Sequence, residues 1–81
     1  MKPSEIADEI KREIIDDPTI EGATHIHVFP GKSGAWPFKK ANIRLTGIVH
    51  SEKDSEKAEA HAKYAAGVIP VVNEIEVVLP K

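Results

Sequence analysis

The stretch IRLTGIVHSEKDSEKAEAHAKYAAGVIPVVNEIEVVL, Ile43 to Leu79, changes its hydrophobic period twice. Ile43 and Leu45 alternate with Arg44 and Thr46, the period-two pattern of a half-buried strand, and the run continues through Gly47 to Val49. Ser51-Glu52-Lys53-Asp54 then sets a hydroxyl three residues before a carboxylate, which marks a helix start. From there to Ala66 the period is helical. Ala58, His61, Ala62 and Ala65 share one stripe, while Lys53, Glu56, Lys57, Glu59 and Lys63 lie mostly outside it. Gly67 suits the left-handed position past a helix end. Val68 is expected to pack back under the last turn. Val71, Ile75, Val77 and Leu79 alternate once more, with Glu74 and Glu76 on the opposite side, so one sheet face should be wet. A strand, a helix and a strand in this order predict a right-handed crossover with the two strands parallel.

Working back toward the N-terminus, Asn42 opens the Ile43 strand and the stretch before it, Pro30 to Ala41, reads as a loop of about twelve residues, long for a hairpin. Upstream of it, His25-Ile26-His27-Val28-Phe29 alternates and should pair antiparallel with the Ile43 strand, ending at Pro30-Gly31. Glu21-Gly22-Ala23 reads as a turn. A first helix is expected from a Ser4 cap, with Ile6, Ala7, Ile10 and Ile14 on its apolar face. Asp16-Asp17-Pro18 should stop it, because the residue before a proline is pushed out of the α region. The order is α-β-β-α-β. The expected fold is an α+β two-layer sandwich in which both helices cover one face of a three-stranded mixed sheet.

At 81 residues the chain is expected to be a single domain, 1–81, with its core between about residues 4 and 79. The absence of Cys excludes disulfides, thiol nucleophiles and thiolate metal sites. No stretch approaches the roughly 18 apolar residues of a spanning helix. Met1 to Glu5 carries no apolar run of signal-peptide type, so a cytoplasmic location is expected for the chain as given. The net charge is −2, but no Asp or Glu lies between Glu21 and Glu52. That window holds Lys32, Lys39, Lys40 and Arg44, so it carries +4 and the remainder −6. Its excess positive charge could draw an anionic surface while the whole chain stays dispersed.

Gly67-Val68-Ile69-Pro70-Val71-Val72-Asn73-Glu74-Ile75-Glu76-Val77 resembles the closing signature of the BON domain, the bacterial osmotic-stress and nodulation module. Leu45-Thr46-Gly47-Ile48-Val49 is similar to the central strand of that family, and the Ala58, Ala62, Ala65 spacing ahead of Gly67 also fits. The resemblance covers about Ile43 to Val77 and implies a binding module associated with phospholipid or membranes. It would also allow a periplasmic location. One departure stands out: BON domains usually join their first two strands by a tight turn, and here the Pro30–Ala41 loop occupies that place. Asn73 shares the parity of the apolar face, so its amide needs a partner, expected in the turn after the first helix.

The loop sets Trp36 and Phe38 beside Lys32, Lys39 and Lys40. Rings flanked by cations suit a membrane interface, where the rings sit at headgroup depth and the lysines meet phosphates. They also suit stacking on single-stranded nucleic acid or packing on the core, but the resemblance favours lipid over nucleic acid. The expected binding residues are therefore Lys32, Trp36, Phe38, Lys39, Lys40 and Arg44, facing an anionic phospholipid surface or a membrane-associated assembly. The alternatives are a protein-interaction or oligomerisation module that uses the sheet edge, and binding of a small ion or ligand.

Gly31-Lys32-Ser33 ends like a phosphate-binding loop, but the first glycine of that motif would fall at Ile26, inside a strand. His25 and His27 share one strand face at a spacing of about 6.6 Å, yet two imidazoles do not make a metal site. His61 on the apolar stripe reads as a half-buried, hydrogen-bonded residue. The acids lie on helix exteriors and on the wet strand face, with no converging pair, so no catalysis, cofactor or metal is expected.

Overall fold

The computed structural model describes residues 2–34, 37 and 40–79. Helix α1 spans Pro3–Asp16 and helix α2 Glu52–Ala66; strand β1 spans Ile26–Ser33, β2 Lys40–Val49, β3 Val71–Asn73 and β4 Glu76–Val77. β2 lies in the centre, antiparallel to β1 and parallel to β3 and β4. The α+β architecture and the α-β-β-α-β order therefore stand as expected.

The last strand is divided into two pieces but keeps one register. Ile43 faces Val71, and Ile48 faces Glu76, an offset of 28 residues in both cases. Across the division Glu74 N–H still donates to Leu45 O at 2.8 Å. The interruption comes from Asn73. Its Oδ1 takes Ile75 N–H at 3.0 Å, and its Nδ2 donates to Ser55 Oγ on α2 at 3.0 Å. The partner of Asn73 is thus α2 and its own strand, not the turn after α1, because a side chain on the inner sheet face points at the crossover helix.

Inner-face residues of β1 and β2 (Ile26, Ile43, Leu45, Val49) are fully buried against Ile10 and Ile14 of α1 and Ala58 and Ala62 of α2. Alanine at 58, 62 and 66 lets α2 settle close to the sheet. Of the last strand's apolar residues, Val71, Ile75 and Val77 pack against this core, whereas Leu79 is largely exposed.

Several boundaries differ from the sequence expectation. α1 starts at Pro3, so Ser4 lies inside the first turn, and Glu5 Oε2 accepts from the Lys2 backbone N–H at 3.2 Å. His25 belongs to a short 3-10 turn, Ala23–His25, and does not share a strand with His27, whose ring stacks on Phe29 instead. β1 does not stop at Pro30-Gly31. Ile43 N–H donates to Pro70 O on the β3 side, so the Pro30–Ile43 pair exchanges no hydrogen bonds. The missing N–H of Pro30 therefore faces the free edge, where nothing is lost. Val68 is fully exposed, and Ile69 takes the packing role expected of it.

Gly47 is required by contact. Its φ is +130°, and a Cβ there would lie 2.1 Å from His25 O. The chain enters β1 directly against this glycine, which gives the Leu-Thr-Gly-Ile-Val pattern its physical reason. Gly67, at φ +64°, ends α2 with its N–H on Lys63 O.

Candidate binding site

Half of the expected twelve-residue loop is strand. β1 reaches Ser33 and β2 begins at Lys40, so the connection is residues 34–39. Gly31, Lys32 and Ser33 pair with Asn42, Ala41 and Lys40. β3 begins opposite Ile43, so these three rungs form a two-stranded arm beyond the third strand. Lys32 has the parity of the inner sheet face and Lys40 that of the outer face, so the two side chains leave the arm from opposite faces. Both residues are exposed. Trp36, Phe38 and Lys39 lie outside the described residues.

Arg44 sits on the outer face, two rungs inside the arm, and its Nε meets Glu74 Oε1 at 3.0 Å, both side chains being about half exposed. It is therefore not a free cation, and any anion drawn to it competes with Glu74. Beside this pair, Phe29, Pro30, Gly31, Lys32 and Thr46 complete a shallow hollow of about 360 Å³. Asn42, although on the outer face, is buried, and its Oδ1 reaches the space that a side chain at Gly31 would need. Phe29, Ile48 and Val72 expose apolar surface on the same face.

A second feature escaped the sequence reading. Asp17, at the end of α1, accepts from His61 Nε2–H of α2 at 2.8 Å through Oδ2, and from Thr19 N–H and Thr19 Oγ1–H through Oδ1. The His61 hydrogen bond and then the Thr19 hydrogen bonds hold the Asp17 carboxyl well below the usual carboxylate range. Asp17 reads in sequence only as a helix stop, and His61 only as a histidine in need of a partner. The signal was the pairing of these two needs. Between the helices lies a groove of about 730 Å³, walled by Glu13, Asp16, Lys57 and Tyr64 as well. At the opposite end of the sheet His50 Nδ1–H is tied to Val78 O at 2.9 Å.

No helix among the described residues is long and apolar enough to cross a membrane. The family model of the BON domain matches residues 38–78. The match takes in β2, α2, β3 and β4, the elements that carry Gly47, Gly67 and Asn73. Among curated proteins none matches the chain. BON domains are non-catalytic binding modules. The matched segment is half of the chain, and its fold is the one described above: the chain belongs to the BON domain family.

Proposed function

We propose that this BON module binds an anionic phospholipid surface through the arm formed by β1 and β2. The observation that carries the reading is the pair of exposed lysines, Lys32 and Lys40, on opposite faces of a two-stranded arm inside a window that contains no acid. A surface met by the arm end is reached by both ammonium groups at once, and each lysine near an anionic leaflet contributes about 1 kcal/mol. Trp36 and Phe38 belong to the same connection and supply the rings that would enter at headgroup depth. Arg44 plays a lesser part, because Glu74 already neutralises it.

Trp36 is the only tryptophan, so its emission reports the contact directly. Vesicles of phosphatidylglycerol and phosphatidylcholine should shift the emission to the blue and co-sediment with the protein at low salt, and pure phosphatidylcholine should do neither. Absence of both responses on the anionic vesicles would overturn the proposal.

A protein partner is the second reading, favoured by the open outer face, where Phe29 is 51% and Ile48 49% exposed. Concentration-dependent sedimentation without lipid, abolished by Phe29→Ser, would favour it over the lipid reading.

A further inference from the structure

We propose that the outer face of the sheet is the interface of a homodimer, in which two copies stack face to face about a two-fold axis running along β2. The proposal rests on the protein-partner reading above and gives that partner an identity, a second copy of this chain. Both helices pack on the inner face, and no element among the described residues covers the outer one. Phe29, Ile48, Val72 and, just past β4, Val78 expose apolar surface there.

What selects a second copy is the division of charge between the edges of this face. The register places Phe29, Arg44 and Val72 on one rung, His27, Thr46 and Glu74 on the next outward-facing rung, and Ile48 beside Glu76 beyond it. The β1 column, His27 and Phe29, holds no acid. The β3–β4 column holds Glu74 and Glu76 and no cation, and Arg44 stands between the columns on β2. A two-fold along β2 keeps each rung at its height and exchanges the two edges. Phe29 then lies over the partner's Val72, and His27 over the partner's Glu74. Each Arg44, 3.0 Å from its own Glu74, also comes between that residue and the partner's Glu74, so two cations and two carboxylates alternate. A two-fold across the strands would instead set β1 on β1 and bring the two acidic columns together. Aligned sheets of this kind stack about 10 Å apart and within about 30° of each other. The stacked area is confined to the few rungs where three strands run side by side, so the association is weak. Both arms leave the dimer at the same end, where Lys40 of each copy faces the other and opposes association.

Sedimentation equilibrium of the full chain without lipid, from about 10 μM to about 1 mM, should show association that stops at two copies. Glu74→Arg and Arg44→Glu should each weaken it about tenfold, because each gives the central cluster a single sign. The double swap, Arg44→Glu with Glu74→Arg, restores the alternation and should recover the dimer. Both side chains are about half exposed, and circular dichroism checks that the variants fold. The chain has no Cys, so introduced thiols report the arrangement. With a short bis-maleimide, His27→Cys mixed with Glu74→Cys should cross-link faster than either variant alone. The mass of one chain at every concentration, growth beyond two copies, no effect of either single reversal, or no recovery in the double swap would overturn the proposal. Fastest cross-linking of His27→Cys with itself would also overturn it, since that marks the two-fold across the strands. In that last case an association lost in Phe29→Ser leaves the protein-partner reading standing, whereas the mass of one chain throughout removes both. Vesicle binding is not scored, so its outcome leaves this test unaffected.

Discussion

Asp17 and His61, 44 positions apart, meet at 2.8 Å and tie the end of α1 to the middle of α2. Neither belongs to the apolar core, and the bond links the two helices at the rim of that core. Because hydrogen bonding depresses the Asp17 carboxyl from 3.8, its contribution to stability is complete above that value. It fades as pH falls below about 4 toward the lower folded value. The urea midpoint of the protein should therefore drop between pH 4 and pH 2, and Asp17→Asn should flatten that part of the profile. The variant should also have a lower midpoint at pH 7. A profile in the variant that parallels the parent would show that the bond does not contribute.

Gly47 and Gly67 both have positive φ, but they differ in what surrounds them. A methyl group at Gly47 meets His25 O at 2.1 Å, and one at Gly67 meets nothing within 4 Å. Gly67, at φ +64° and ψ −113°, lies outside the left-handed helical well, and Gly67→Ala should cost the strain of that backbone alone, roughly 1–3 kcal/mol. Gly47→Ala must in addition displace backbone, and its cost should exceed about 3 kcal/mol. Denaturant unfolding of the two variants measures the difference directly.

Asn73 serves α2 and the strand division together. Asn73→Ala strands the Ile75 N–H and removes the donor to Ser55, at an expected cost of about 1–3 kcal/mol. Asn73→Asp keeps an acceptor for Ile75 N–H and, with the Ser55 hydroxyl turned to donate, should recover most of the loss. Equal destabilisation in the two variants would mean that the Ile75 contact carries no weight.

Lys32 and Lys40 act on an anionic leaflet from opposite faces of the arm, so their effects should add. Lys32→Gln and Lys40→Gln should each weaken vesicle binding about fivefold, the equivalent of about 1 kcal/mol. Lys63→Gln, which alters a lysine of α2 facing Glu59 at 3.7 Å, should leave binding unchanged. Co-sedimentation at several salt concentrations distinguishes the three.

The scaffold was legible because its signals are local and periodic. Ile43 with Leu45, and Ala58 with Ala62, mark their faces by spacing, and Gly67 marks a helix end by conformation. Pro30 misled because a proline ends a central strand and not an edge strand, and which edge β1 occupies is decided by β3, some 40 residues later. For the same reason Lys32 and Lys40, neighbours in a loop by sequence, turn out to point apart once pairing fixes their parity. The Asp17–His61 bond was illegible because Asp17 already fits a local pattern as a helix stop, the partner that His61 needs lies 44 residues away, and only the helix packing brings them within reach.

Pro30 bears on how the protein behaves when crowded. Even-numbered residues of β1 present their backbone groups to the free edge, and Lys11 Nζ already occupies Ile26 O there. Pro30 leaves a gap in the remaining row of donors, and the Lys32 charge stands two residues further on. A foreign strand attempting to extend the sheet at this side would forfeit a hydrogen bond in the middle of the ladder and meet a cation at its end. The edge is thereby made unreceptive to fibrillar growth, and a change as small as Pro30→Thr would restore a template along which copies could polymerise.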